Sequence, residues 1–306
     1  MTALGIDLGG TKVEAALLAD DGRTLWKQRA TTPAGDYEAT LQTVAALVAA
    51  ARPAAGGPVS IGIGTPGAAA ADGRMKNCNS TWLNGRPLQA DLQALLGQPV
   101  ALLNDANCLA LSEATDGAGA GAGVVFAAIL GTGTGAGIAV HGRVLTGPNG
   151  LAGEWGHNPL PWAEAGADPA WACYCGQHGC IETLLSGPGL ARDHARQHGG
   201  TLDAVAIAAQ AAAGDEACAA TLERHTSRLA RALAGVINLL DPDVIVLGGG
   251  LSRLPHLYTA VPALWSRWVF AAGADGAPVR TRLLPALHGD ASGVRGAAWV
   301  GRSAGA

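Results

Sequence analysis

Apolar positions open the chain as short runs broken by polar turns. Leu4–Asp7 is apolar, Leu8–Lys12 is a glycine-rich turn, and Val13–Leu18 is apolar again. Asp20-Asp21-Gly22 signals a hairpin, and Thr24–Thr31 alternates. The first thirty residues therefore predict strand, turn, strand, turn, strand. The pattern returns in the second half. Val124–Leu130 reads as a strand, Gly131-Thr132-Gly133-Thr134-Gly135 as a turn and Ile138–Val140 as a strand, and His141-Gly142 then leads into Arg143–Thr146. Two copies of one supersecondary unit, each with its glycine turn at the same point, imply two related domains.

Period 3.6 takes over between the strand runs. Tyr37–Ala51 is an alanine-rich amphipathic helix expected to stop before Pro53, and Ala217–Leu240 a long helix stopping at Asp241-Pro242. Val59–Gly64, Val100–Leu103 and Val244–Leu247 are short apolar runs of the kind buried in parallel sheets. A last helix, Ser292–Val300, is expected to pack back on the first domain. The expected class is α/β. The expected division places residues 1–115 plus 290–306 in a smaller N-terminal domain and residues 116–289 in a larger C-terminal one. No low-complexity linker separates them, so a cleft rather than a tether is expected at their junction.

Composition narrows the classes. The chain has 306 residues, enough for two domains at roughly 150 each. Hydrophobic residues make up 49% and the net charge is only -4, which excludes a disordered chain. The slight acidity and the lack of any Lys/Arg run argue against nucleic acid as a partner. Mean hydropathy is +0.22, and the stretch Gly117–Val140 is uncharged and long enough to span a bilayer. Its alternating Gly and Thr after Val124–Leu130 read instead as strand, loop and strand, so no membrane span is expected. Met1-Thr2-Ala3 leads straight into the first strand without a signal-peptide pattern, so a cytoplasmic protein is expected.

Asp7-Leu8-Gly9-Gly10-Thr11-Lys12 joins the first two strands. Consecutive glycines let backbone N–H groups approach an anion, Thr11 and Lys12 add a hydroxyl and a charge, and Asp7 is placed to hold Mg²⁺ through water. The spacing is not that of a Walker A loop, and a strand rather than a helix follows, unlike the dinucleotide fingerprint. Gly131-Thr132-Gly133-Thr134-Gly135 occupies the matching turn of the second copy. One such turn suits a plain hairpin; the pair suits a polyphosphate. Gly248-Gly249-Gly250 could leave room for a flat adenine or simply open a helix.

Asn104-Asp105 ends one strand and begins a helix. Asp105 could serve as a general base toward a hydroxyl or as the helix N-cap. Three of the six cysteines, Cys78, Cys108 and Cys218, are scattered and expected to be small buried residues. Cys173, Cys175 and Cys180 form C-x-C-x₄-C, and His157 upstream completes a Cys₃His set expected to hold structural Zn²⁺. His178 competes for the fourth position, but the loop around it is short. Glu154 and Glu182 flank the set and could accept hydrogen bonds from substrate hydroxyls, or be ordinary surface charges. The second nitrogen of His157 could be oriented toward that substrate.

Taken together these motifs resemble the ROK family (repressors, open reading frames and sugar kinases) on the two-domain actin-like ATPase (ribonuclease H-like) fold, over essentially the whole chain. Within it, Asn77–Gly85, Gly156–Trp162 and His288–Trp299 are similar to the bacterial fructokinase, or manno(fructo)kinase, branch. The resemblance implies ATP in the cleft between domains, Mg²⁺, structural zinc, a homodimer and transfer of phosphate to a hexose 6-hydroxyl, fructose first. Glucose, mannose or an N-acetylhexosamine are the alternatives. It makes Asp105 the general base and implicates Asn79, Asn104, Glu154, His157 and Glu182 in holding the sugar. The segment Asn158–Ala172 is longer than in glucokinase-like members. A repressor would need a helix-turn-helix ahead of the strand at Leu4, and no room is expected for it. A non-catalytic sugar sensor would be expected to lack Asp105 or a glycine turn, and both are present.

Overall fold

A computed structural model describes residues 2–270 and 278–304. The first sheet is built from β1 (Thr2–Leu8), β2 (Lys12–Leu18), β3 (Thr24–Thr31), β4 (Val59–Thr65) and β7 (Val100–Asn104), in the order β3-β2-β1-β4-β7. The hairpin β5 (Ala68–Ala69) and β6 (Met75–Lys76) follows β4. The second sheet contains β8 (Val124–Leu130), β9 (Thr134–Val140), β10 (Arg143–Val144), β11 (Val244–Gly248) and β12 (Arg282–Pro285), in the order β10-β9-β8-β11-β12. The two orders are one topology written twice. In each sheet the outer antiparallel strands come from the meander, and the last two strands are parallel additions. The repeat visible in the sequence is thus a repeat of strand order.

Helices fill the connections: α1 (Tyr37–Ala55), α2 (Leu88–Leu96), α3 (Asp105–Thr115), α4 (Ile181–Leu185), α5 (Gly187–His198), α6 (Ala204–Ala212), α7 (Glu216–Leu240), α8 (Leu257–Leu264) and α9 (Ser292–Ala304). Asp36 caps α1 by accepting from the Ala39 N–H at 3.0 Å. The helix does not stop before Pro53. It runs to Ala55 and ends at Gly56 with φ 64°. Pro53 sits in the exposed last turn, where the carbonyl that its missing N–H leaves unpaired can face water. β10 is shorter than Arg143–Thr146, and α7 matches its expected span to within one residue. The uncharged Gly117–Val140 stretch is β8, the glycine turn and β9, and no described helix is long and apolar enough to cross a membrane.

Contacts group the chain into two compact units. One comprises Met1–Gly121, Gly137–Gly153 and Asp290–Ala306; the other comprises Ala122–Ala136 and Glu154–Gly289. Residues 137–153 group with the first unit, not with the C-terminal domain to which a boundary at 116 assigns them. The sheet order carries β9 across that division.

In the first unit, α9 lies against β1, β4 and α3 at backbone distance. A Cβ on Gly5 would overlap the Val294 carbonyl oxygen, and one on Gly62 would overlap that of Ala297. From the other side, a Cβ on Gly296 would overlap the carbonyl of Cys108 in α3. Val294, Ala297 and Ala298 are buried in this layer.

In the second unit, α7 holds a buried ion-pair network. Arg228 and Arg231 reach Asp168 at 2.8 and 2.7 Å, and Arg228 reaches Asp193 at 3.0 Å. Arg228 and Arg231 also donate to the carbonyls of Ala167 and Trp162. Burial alone would raise the pKa of both aspartates, but hydrogen bonds from the guanidiniums outweigh it and hold them below the usual range. The long segment after His157 is thereby tied to the helix core.

Gly62→Ala is expected to cost about 3 kcal/mol or more, because two backbones must separate, while Gly57→Ala, in open space, stays within about 0.5 kcal/mol. Denaturant titration of both variants reads the difference.

Candidate functional site

Parallel pairing brings two acidic groups to one edge of the first sheet. Asp7 pairs with Gly64, and Gly64 with Leu103, so Asp7 lies level with the residue before Asn104. The carboxyl ends of parallel strands are where α/β sheets present ligand-binding groups. Asn104 rather than Asp105 is the N-cap of α3: its side-chain oxygen accepts from the Ala106 N–H at 2.9 Å and from the Asn107 N–H at 3.4 Å. Its amide donates to the Gly67 carbonyl at 3.0 Å. Asp105 is the first helical residue, is exposed, and accepts from the Ala106 N–H at 2.7 Å.

Burial first, and the charges of Asp105 and Glu14 next, push the Asp7 carboxyl up to about 6. Gly293, in the first turn of α9, packs against that carboxylate. The turn itself is closed by the Gly9 N–H donating to the Lys12 carbonyl at 3.0 Å. Thr32 pins it, its hydroxyl donating to Gly9 and its N–H to Thr11. Gly10 and Thr11 are exposed at the tip, and Lys12 lies 3.8 Å from Glu14. Ser80, which the sequence did not mark, places a buried hydroxyl with no hydrogen-bond partner 3.2 Å from where a Gly10 Cβ would be. A lone serine carries no sequence signal for such a position. Asn79 beside it is exposed. A cavity of about 530 Å³ in this unit is lined by Gly67, Ala68, Asn104, Asn107, Thr146 and Leu151.

The second turn is built alike. The Gly131 N–H donates to the Gly133 carbonyl at 2.9 Å, and Gly131 accepts from the Gly187 N–H at 2.8 Å. Glu182 accepts from the Thr134 N–H at 2.9 Å, so one carboxylate oxygen holds the turn. A Cβ on Gly133 would meet that same carboxylate at 2.7 Å, so the Glu182 side chain would have to shift. Thr132 is exposed and Gly135 half-buried. Gly248 ends β11, and Gly249, at φ 84°, packs on the Leu130 backbone where any Cβ would clash. Gly248 is buried, and space is open beside Gly250.

His157, Cys173, Cys175 and Cys180 converge, their ligand atoms all within 4.8 Å of one another. His178 is not in the set. Cys175 and Cys180 sulfurs are 3.6 Å apart, and Cys173 Sγ is 3.6 Å from His157 Nδ1. Tetrahedral Zn²⁺, with bonds of about 2.3 Å to sulfur and about 2.0 Å to nitrogen, requires ligand spacings of about 3.6–3.8 Å. Burial first raises the pKa of Cys173 and of Cys180, while a backbone hydrogen bond at Gln177 first lowers that of Cys175. The donor set fits such an ion. Cys78, Cys108 and Cys218 are buried elsewhere. His157 Nε2 meets the Tyr174 hydroxyl at 3.1 Å and lies 3.9 Å from Glu154. Tyr174 is a second group that sequence reading passed over, although its place between two of the cysteines was visible.

The ROK family model matches residues 3–303. N-acetyl-D-glucosamine kinase from Escherichia coli O127:H6 is 41% identical over 302 residues, covering 97% of this chain and 98% of that one. A ROK hexokinase from Thermus thermophilus superposes with a TM-score of 0.85 at 31% identity, covering 98% and 97% of the two chains. A ROK glucokinase from Streptomyces griseus, in complex with glucose and AMPPNP, gives 0.78 at 28% identity, with 99% and 100% coverage. The chain belongs to the ROK family, and its α/β fold is that of the family's sugar kinases.

Asp7 offers a test in the ligand-free protein. Its raised pKa means that ionisation weakens the fold, a cost absent below about 4 and fully present above about 6. Asp7→Asn is therefore expected to stabilise the free protein at pH 8 by up to about 3 kcal/mol, with the gain fading as pH falls through 6. Melting curves at pH 4 and pH 8 measure it.

Proposed function

We propose that this ATP-dependent sugar kinase of the ROK family transfers the terminal phosphate of ATP to the 6-hydroxyl of N-acetyl-D-glucosamine. The observation that carries the acceptor is the 41% identity, over nearly the full length of both chains, to the Escherichia coli N-acetyl-D-glucosamine kinase. This replaces fructose, the expectation from the sequence, with one of the alternatives weighed there. A second reading keeps fructose. It is favoured by the segments Asn77–Gly85, Gly156–Trp162 and His288–Trp299, whose residues resemble the fructokinase branch.

Asp105 is the general base. Its exposed carboxylate accepts the proton of the sugar 6-hydroxyl as that oxygen attacks the terminal phosphorus, and ADP departs with the bridging oxygen. In the first unit the Gly10 and Thr11 backbone and the Lys12 ammonium would approach phosphate oxygens while Gly9 closes the turn; in the second unit the Thr132, Gly133 and Gly135 backbone would do the same while Gly131 closes the turn. The Thr134 N–H is committed to Glu182, which leaves Thr134 its buried, unpartnered hydroxyl. Asp7 would hold Mg²⁺, which supplies charge neutralisation at the phosphates when bound. Gly248–Gly250 would border the base through Gly250. The candidates for sugar contacts are Asn79 and Asn104 in the first unit, the latter fixed by its N-cap bonds, and Glu154, His157 and Glu182 in the second. His157, Cys173, Cys175 and Cys180 would hold a structural Zn²⁺.

The acceptor is settled by comparing kcat/KM for N-acetyl-D-glucosamine, glucose, mannose and fructose. N-acetyl-D-glucosamine is expected to lead by at least about tenfold; fructose in the lead would establish the second reading. Asp105→Asn should retain nucleotide and sugar binding by calorimetry while turnover drops by about a thousandfold or more. Near-normal turnover would remove Asp105 as base. Cys175→Ser should lose the metal and lower stability by several kcal/mol, read by metal analysis and thermal melting. One equivalent of zinc still bound to the variant would refute the ligand set.

A further inference from the structure

The cavity of about 530 Å³ in the first unit is bordered by Asn104, one of the candidate sugar contacts. Asn104 itself is nearly spent. Its oxygen caps α3 and one amide hydrogen goes to the Gly67 carbonyl, which leaves a single hydrogen for a ligand. Asn107 lines the same cavity three residues further along α3. It is only 8% exposed, yet its side-chain oxygen has no hydrogen-bond partner. An acceptor withdrawn from water and left unpaired is costly, and a donor on a ligand would satisfy it. Lys76, on β6, also lines the cavity and donates to the Asn149 carbonyl at 3.1 Å, which ties the β5–β6 hairpin to the loop 146–151. Its ammonium keeps two further hydrogens. Ala68 and Leu151 add aliphatic wall between these polar groups.

A sugar hydroxyl ends one bond from the ring and pairs with one such group at a time. An acetamido group reaches further and presents an N–H, a carbonyl oxygen and a methyl group together. That combination matches an unpaired acceptor, a spare donor and an aliphatic surface. We propose that this cavity receives the acetamido group of the acceptor sugar. Asn107 takes its N–H, Lys76 donates to its carbonyl, and Ala68 and Leu151 cover its methyl group. The inference rests on the N-acetyl-D-glucosamine reading and gives it a structural basis. Glucose and fructose lack the group and leave the Asn107 oxygen unpaired.

Asn107→Ala removes the acceptor, and Ala68→Leu fills the aliphatic part of the cavity. Each is expected to lower kcat/KM for N-acetyl-D-glucosamine at least about tenfold more than kcat/KM for glucose. The Kd for N-acetyl-D-glucosamine, by calorimetry without nucleotide, should rise by a similar factor. The cavity is roomier than an acetyl group needs, so the unaltered protein should also phosphorylate N-propanoyl-D-glucosamine, and Ala68→Leu should reject it. Equal losses for both sugars, or no loss, overturn the acetamido pocket and leave the kinase reading standing. Rejection of the propanoyl sugar by the unaltered protein overturns it without any substitution. Glucose or fructose ahead of N-acetyl-D-glucosamine in the unaltered protein overturns the acceptor reading, and this inference with it.

Discussion

The first unit depends on backbones meeting without side chains between them. At Gly5 and Gly62 the sheet has no Cβ to hold α9 away, and at Gly296 the helix has none to hold α3 away. Three layers therefore lock at a separation that only glycine permits, and van der Waals contact along their backbones replaces side-chain interdigitation. This spacing fixes the position of α3 relative to β1, and hence that of Asp105 relative to Asp7. A helix pushed outward by one methyl group would carry the N-terminus of α3 with it.

Chemistry and support share residues in the second unit. Glu182 stands two positions after Cys180 and holds the glycine turn through the Thr134 N–H. The cysteine cluster and the turn are thus parts of one short chain of contacts. Gly156, beside His157, adds a backbone contact with Thr134 that a Cβ would destroy. The paired carboxylates of the first unit tell the opposite story. Asp7 lies close to the like charges of Asp105 and Glu14, and its ionisation costs the fold stability instead of adding to it.

Most of the architecture was legible because both signals were local. Alternating and continuous apolar runs gave β1 to β3, β8 and β11 nearly to the residue, and two glycine turns revealed the repeat. Pro53 misled because its effect depends on whether the unpaired carbonyl is buried, which the sequence does not record. The cysteine spacing announced the cluster, and the structure brings the upstream His157 rather than the nearer His178 into it. Asn104 taking the cap from Asp105 was invisible, since either residue type caps well. Ser80 lies within the Asn77–Gly85 segment and Tyr174 between two of the cysteines, but what their hydroxyls meet arises only when distant segments come together. Kinship to sugar kinases was legible; the choice of hexose rests on a few hydrogen bonds with no fixed spacing.

The packing of α9 also bears on folding order. β1 and β4 meet Val294, Ala297 and Ala298 across a very long stretch of intervening sequence. Contacts of such separation carry a large loop-closure cost, so the glycine-floored face of these strands is expected to gain its helical cover only after the local hairpins and helices have formed.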